Sequence, residues 1–490
     1  MRVIICEQGR HPGGLCASYR RGDFRVEPTL QWLNLCGRGG WVDAALRDFG
    51  VRGDVDFVPL DNWLRVIGPG YDITLGPDRA ANETQLRTAF PTESRTIQRL
   101  LRDAAAFARF DPPAGGFGPA SLLARLAYVS RILPALPGLA RYRSLTVEQG
   151  VARLFRNPDL RSFIFSLVPR PEASFLTTLF LLSGAPAWLP KGGASALVEA
   201  CVTAFRRAGG EIALSTPVAK IIVEGGGATG SASPDKRVTG VLTGGGERLT
   251  VPVVVSAADL MTTAYRLVDP SDWPHDHPAG LRDRPVTSSV FSVWAGVNLD
   301  LRSLGHRTGR ILFNPVGDPA VLAGHDPQEC SLWMTLHSLD DPSVAPAGHG
   351  TVLIQAALPY EYRDCWGTLG SDRREVYRSL PAYQAIKEET AAALISSAER
   401  VIPGLGAHIV CRDVFTPLTI ERVTGNYRGS GHGWLQTPER VMGLGLGPAR
   451  YLTPIGGLYQ CGHWVDLGGM PSVIQSGRAV ARVVLRDRPR

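Results

Sequence analysis

The chain has 490 residues, 44% hydrophobic and 20% charged, with a formal net charge of +7 at pH 7. That length is too great for one hydrophobic core and predicts two interleaved domains, and the composition excludes a disordered or collagen-like chain. Of 52 basic residues only Lys191, Lys220, Lys236 and Lys387 are lysines. The charge therefore reflects heavy arginine usage, and no basic run alternates with aromatic residues as in nucleic-acid binders. In chain order, residues 2–7 (R-V-I-I-C-E) come first. They are β-branched and apolar up to a terminal acid, which predicts a buried parallel strand. A carboxylate at the end of such a strand commonly accepts hydrogen bonds from an adenosine ribose. Gly13 and Gly14 follow, a pair that lets backbone approach a ligand without a Cβ in the way.

Between 107 and 143 the residues Leu122, Leu123, Leu126, Val129, Ile132, Leu133 and Leu136 mark an apolar face. Arg125, Arg131, Arg141 and Arg143 mark a basic one, and Pro134 and Pro137 interrupt the pattern. Such a stripe predicts a helix packed on the core of a substrate domain. The alternative for 117–143 is a helix lying on a membrane surface. The apolar run 163–189 is either core or pocket wall. In 190–210, Leu197, Cys201, Ala204 and Phe205 recur at helical spacing, and Gly209-Gly210 end the helix. Short strands are expected at 211–214, 218–223, 238–242 and 249–255, ending in S-A-A-D at 256–259. His275 and His277 form H-x-H without a recognisable third ligand, so no metal is expected. Residues 457–485 (G-L-Y-Q-C-G-H-W…D-L-G-G-M-P-S…) predict a buried strand, a glycine turn and a helix, a combination suited to an anion or an electron-rich ring edge. The eight cysteines show no C-x-x-C or zinc spacing and read as reduced thiols of a cytoplasmic protein. No apolar stretch has the length of a membrane-spanning helix.

The run E-Q-G-R-H-P-G-G at 7–14, continued to W-L at 32–33, resembles the second strand and following loop of the phytoene desaturase and carotenoid isomerase family. The order P-x-G-G, helix, G-G-E-I, V-x-x-I, G-V, V-V-x-S-A-A-D resembles the segment with which these flavoproteins return to their FAD domain. Residues 415–434 and 457–485 resemble its closing motifs. The resemblance implies FAD as cofactor. Glu7, with Gln8 beside it, would bind the adenosine ribose, and Gly13, Gly14 and Leu15 would line the pyrophosphate and ribityl region. Val218 would pair its backbone with adenine, and Ile221 completes that pattern. Gly462 and His463 would approach the ribityl and pyrophosphate, and Gly469 and Met470 the flavin pyrimidine edge. His432 and Trp434 either line the substrate pocket or serve the packing of their own glycine-rich loop. Glu27 and Pro28 stand where the family often has Asp and Gly. The family also places a strand, a G-x-G-x-x-G turn and a helix, roughly thirty residues, ahead of this acid. Only six residues precede Glu7 here. The expectation is a start assigned too far downstream, with a flavin-free descendant or a second chain as alternatives.

The fold expected is therefore α/β: a Rossmann-like FAD domain of the glutathione reductase and amine oxidase type, lacking its first βα unit, interleaved with an α+β substrate domain. The cofactor segments would be 1–75, 190–265 and 405–490, and the substrate segments 76–189 and 266–404. The implied activity is desaturation, saturation or cis–trans isomerisation of a hydrophobic isoprenoid or polyene, with peripheral membrane contact and no nucleic acid. An amine or other small-molecule flavin oxidase, or a flavin-free lipid-binding scaffold, remains open at this point. No nucleophile elbow, H-E-x-x-H or Walker A motif competes, and no catalytic base is singled out.

Overall fold

A computed structural model describes residues 2–108, 129–225, 236–274, 277–368, 376–443 and 448–487. Its largest sheet has seven strands in the order Ile409–Phe415, Phe291–Val297, Gly350–Ala356, Leu332–Thr335, Arg310–Phe313, Leu64–Gly68 and Tyr71–Leu75. Neighbours run antiparallel except where Arg310–Phe313 lies beside Leu64–Gly68. Phe291–Val297 and Gly350–Ala356 are buried at every position. Continuous burial requires cover on both faces. The helix Pro381–Ala398 supplies one cover, packing Tyr383, Ile386 and Leu394 with Val293 and Ile354. Phe24 and Val26, from the hairpin Tyr19–Arg21 and Phe24–Val26, meet Trp294 and Leu353 on the other. Stretches 64–75 and 409–415, read in the sequence as parts of the cofactor segments, lie at the two sides of this sheet. The reason is visible in the first of them: Leu64, Val66, Tyr71, Ile73 and Leu75 alternate and are all buried, a face that only a sheet and its cover can take up.

Helices Ser94–Phe107, Pro158–Leu167 and Phe175–Leu182 form a layer against one end of the sheet. Phe163, Phe165 and Phe175 are at most 2% exposed, so this part of the run 163–189 is core, while Leu181, Leu182 and Gly184 border a small cavity with Trp63 and Leu101. Within the stripe 117–143, residues 117–128 lie outside the described residues. The remainder departs from the core-packed expectation. Val129, Leu133 and Leu136 are 47, 53 and 42% exposed. Pro134 and Pro137 cut the segment into a 3-10 turn, Leu133–Ala135, and a short helix, Leu136–Tyr142, that buries only Gly138 and Tyr142 fully.

The other half of the molecule is built on two pairs of parallel strands. Ile4–Cys6 pairs with Glu211–Ala213, and Val254–Ser256 with Leu458–Gln460. The helix Gly193–Arg207 precedes the first partner strand, and Gly469–Arg486 follows the last. Arg478 and Arg482 both reach Asp48, at 2.6 and 3.0 Å, tying this last helix to Trp41–Asp48. Two sequence expectations are corrected here. Ile4 and Ile5, expected to be buried, are 39 and 43% exposed. Among the described residues their strand has a neighbour on one edge only, so its apolar side chains find no cover. The run 249–255 is not one strand. Pro252 has no N–H to continue a ladder. Arg248–Thr250 stays in an antiparallel sheet with Arg237–Thr243 and Val218–Glu224, while Val254–Ser256 turns away to its parallel partner. His275 lies outside the described residues.

Candidate functional site

The site assembles where both strand pairs end. After Cys6 the Glu7 N–H donates to Ala213 O at 2.9 Å, and the Glu7 carbonyl accepts from Thr216 N–H at 2.8 Å. The Glu7 carboxylate accepts the Gly9 N–H through Oε1 at 2.6 Å, which fixes its orientation and leaves Oε2 for an outside donor. Gln8 reaches across to Thr424 O at 3.4 Å. Gly13 has φ 115, and a Cβ there would sit 3.2 Å from Val198 of the helix Gly193–Arg207. Gly14 and Leu15 belong to the one-turn 3-10 helix Gly14–Cys16 that follows. Glu27, the departure noted in the sequence, is 2% exposed. Its Oε2 accepts the Ala194 N–H at 3.3 Å, so its charge meets the positive end of the helix Gly193–Arg207. Burial nonetheless pushes its pKa up.

At the second pair, Cys461 N–H donates to Ser256 O at 3.0 Å and Gly462 N–H to Ser476 Oγ at 2.9 Å. Gly462 (φ 100), Gly468 (φ 79) and Gly469 (φ 76) then carry the chain round into the helix Gly469–Arg486, whose first turn has no side-chain cap. Met470 packs on the helical core. The segment 430–434 lies on this turn with main chain against main chain. A Cβ at Gly433 would come 2.8 Å from His463 O, and one at Gly468 would come 2.4 Å from His432 O. Behind it Trp434 and Trp464 meet edge to face at 4.8 Å.

The two ends are joined through one segment. The helix Pro417–Thr424 ends at Gly425, beside Gln8. Three residues beyond Thr424, the Tyr427 N–H donates to Asp259 Oδ2 at 2.8 Å, just past the strand Val254–Ser256. Glu7, Gln8, Gly13, Gly14 and Leu15 therefore lie at one end of the segment 417–433, and His432, Trp434, Gly462, His463, Gly469 and Met470 at the other. Val218 stands apart in the three-stranded sheet, two residues beyond Thr216.

Electrostatics set the second end apart. Burial first, and Arg170 second, pull the His432 pKa down to about 4. His463, beside it, is lowered to about 4 by burial and then by His432. Arg440 is lowered to about 10, mainly by burial, with Arg284 next. It donates to Asp466 O at 2.8 Å and Trp464 O at 3.3 Å. Asp466 accepts from Tyr451 at 3.1 Å and pairs with Arg450 at 3.3 Å. Sequence reading did not single out Arg170, Arg284, Arg440 or Arg450. They come from distant segments, and only D-L-G-G after H-W-V hinted at an acid beside the turn.

Comparison with known proteins bears on the whole chain. The profile of a family described as flavin containing amine oxidoreductase matches residues 1–485. The phytoene desaturase (neurosporene-forming) of Rhodobacter capsulatus is 27% identical, over 99% of this chain and 89% of that protein. The phytoene desaturase (lycopene-forming) of Pantoea ananas is 27% identical, over 99% and 94%. The all-trans-retinol 13,14-reductase of Danio rerio is 24% identical, over 99% and 82%. Among solved structures, putrescine oxidase bound to putrescine superposes with a TM-score of 0.61 at 14% identity, covering 98% of this chain and 93% of that one. An oxidoreductase from Methanosarcina mazei superposes at 0.59 and 14%, covering 98% and 100%.

Proposed function

Because the chain belongs to the flavin containing amine oxidoreductase family, we propose that it is an FAD-dependent oxidoreductase acting on the C–C and C=C bonds of a hydrophobic isoprenoid or polyene. The reading rests on one observation above the others: relatives that include phytoene desaturases and retinol reductases align with 99% of the chain. Desaturation, saturation and cis–trans isomerisation are the reaction classes it covers.

The residues present suit a flavin dinucleotide on grounds of their own. The helix Gly469–Arg486 offers an uncapped first turn behind Gly468, and such N–H groups favour phosphate or a ring carbonyl. His463 Nε2 and Gln475 Oε1 are buried polar atoms without a partner in the protein. On this reading Glu7 holds the adenosine ribose through the oxygen that Gly9 leaves free. Gly13, Gly14 and Leu15 flank the pyrophosphate, and Val218 serves the adenine. Gly462, His463, Gly469 and Met470 flank the ribityl chain and flavin ring, and His432 and Trp434 close the pocket on the substrate side. FAD, when bound, supplies reversible two-electron chemistry. The protein's own work is to hold an elongated apolar chain against it, exclude water, and select substrate by pocket length and shape.

The proposed division keeps the cofactor segments at the start, middle and end of the chain, with the seven-stranded sheet and its helices as the substrate side. Among the described residues no helix is long and apolar enough to cross a membrane. Val129, Leu133 and Leu136 stand exposed near Arg131, Arg141 and Arg143, which supports contact of this face with a membrane surface from the cytoplasm. The test is to express the gene in cells that accumulate polyenes and compare the extracts with and without it. A changed count or geometry of double bonds is expected. An unchanged profile, with peroxide released from amines by the purified yellow protein, would favour the amine oxidases whose fold it shares.

A further inference from the structure

The glycine turn at 13–15 is held by a row of alternating side chains that reach it from the hairpin behind it. Phe24 and Val26, in the strand Phe24–Val26, pack on the seven-stranded sheet through Trp294 and Leu353. Side chains at the intervening positions of a strand point the other way. Arg25 donates through Nη1 to Gly192 O at 2.7 Å, just ahead of the helix Gly193–Arg207. Glu27 accepts the Ala194 N–H in the first turn of that helix at 3.3 Å. Thr29 donates through Oγ1 to Leu15 O at 2.5 Å. The start of the helix is shaped to admit this row. Gly192 and Gly193 have φ 84 and 76, and a Cβ at Gly193 would lie 2.2 Å from Glu27 Oε1. One helical turn beyond Ala194, Val198 supports Gly13, whose own Cβ would lie 3.2 Å from Val198 Cγ2. Cys16 closes the 3-10 turn Gly14–Cys16, and its thiol is pushed up to about 11 by burial and then by the charge of Glu27.

A backbone turn that offers its N–H groups to a phosphate binds well only if it is already in place. Gly13 and Gly14 both have positive φ, 115 and 55, and glycines lose more freedom on ordering than any other residue. They have no side chains with which to anchor themselves. We propose that Arg25, Glu27 and Thr29 are positioning residues: together they fix the turn 13–15 against the first turns of the helix Gly193–Arg207, and so set the affinity for the dinucleotide from behind the turn. Glu27 is the centre of the row. It is 2% exposed, and a charge at the positive end of a helix acts most strongly where water is excluded. The proposal deepens the FAD reading and rests on it, since that reading puts the pyrophosphate beside this turn. The opposite face of the same strand lies on the sheet assigned to the substrate side, so the row also ties the cofactor turn to that sheet.

The flavin-loaded protein is diluted, and the release of FAD is followed by the rise of flavin fluorescence. Hydrogen exchange of the amides at 13–17 and the midpoint of urea unfolding are read on the same samples. Glu27→Ala is expected to raise the FAD dissociation constant about ten-fold, and Thr29→Val about five-fold. Both should speed exchange at 13–17. Glu27→Asp keeps the carboxylate and should stay within about three-fold of the wild type. Thr29 is exposed, so Thr29→Val should keep the wild-type urea midpoint, and it decides the matter where Glu27→Ala does not fold. Unchanged FAD affinity in Thr29→Val and Glu27→Ala overturns the proposal and leaves the FAD reading standing. A raised dissociation constant in Glu27→Ala alone, with a fallen urea midpoint and Thr29→Val like the wild type, also overturns it, reducing Glu27 to a role in folding the helix. A folded wild-type protein that takes up no FAD overturns the proposal together with the cofactor reading.

Discussion

His337 offers the sharpest quantitative test of the fold. It follows the strand Leu332–Thr335 and opens the turn His337–Asp340, 5% exposed. Its Nε2 lies 2.7 Å from Leu30 O, so this nitrogen carries the proton and donates, while Nδ1 is buried without a partner. Burial chiefly holds its pKa down to about 4 from 6.5, against the opposing pull of the Leu30 carbonyl. The folded pKa lies below the unfolded one, so the unfolded chain gains a proton that the fold refuses. The stability this ring contributes is whole above pH 6.5 and is lost as pH falls toward 4. The full window amounts to about 3 kcal/mol, of which about 2 kcal/mol disappears between pH 7 and pH 5. His337→Gln retains a donor for Leu30 O and removes the titration. Urea unfolding at the two pH values should show the wild type losing about 2 kcal/mol more than the variant. Equal losses in the two proteins would refute the assignment of a buried neutral ring.

The Arg310 side chain is fully buried, bonded to Asp340 and to Gln31 O at 3.2 Å. Asp340→Ala should therefore destabilise the protein by about 3 kcal/mol in chemical unfolding, and Arg310→Met with Asp340→Leu should recover most of that; equal losses in single and double variants would contradict it. Gly468→Ala places a Cβ 2.4 Å from His432 O at φ 79, so the ratio of 450 nm to 280 nm absorbance should fall. Gly477→Ala meets open space within the helix Gly469–Arg486 and should stabilise by about 0.5–1 kcal/mol in the same unfolding assay. Leu133→Glu with Leu136→Glu should reduce co-sedimentation with anionic vesicles while leaving the melting temperature unchanged; unaltered sedimentation would remove this face from the membrane reading.

Much of the architecture was legible because local chemistry decides it. The helix Gly193–Arg207 begins and ends where its glycines and apolar spacing put it, and the strand, turn and helix from Leu458 to Arg486 follow the glycine pattern. What stayed hidden depends on neighbours in space. Periodicity identified 2–7 as a strand but could not supply the cover that leaves Ile4 and Ile5 in solvent. The stripe at 129–136 had the right spacing for core, yet its prolines shorten it and Val129, Leu133 and Leu136 stay exposed. At the site, glycine pairs and the acid of Glu7 announced themselves by motif. The cations did not, since Arg170, Arg284 and Arg440 are distant in sequence and ordinary in a chain so rich in arginine.

The segment 417–433 has a mechanical corollary. It leaves the edge strand Ile409–Phe415 of the seven-stranded sheet, touches Gln8 as the helix Pro417–Thr424 ends, takes hold of Asp259 through Tyr427, and lies down on Gly468. A single lever thus reaches both jaws that would grip the dinucleotide, and its fulcrum is the sheet against which the polyene would lie. Any ligand on one side that shifts this segment would change affinity on the other, and thermodynamic reciprocity requires the two effects to be the same factor.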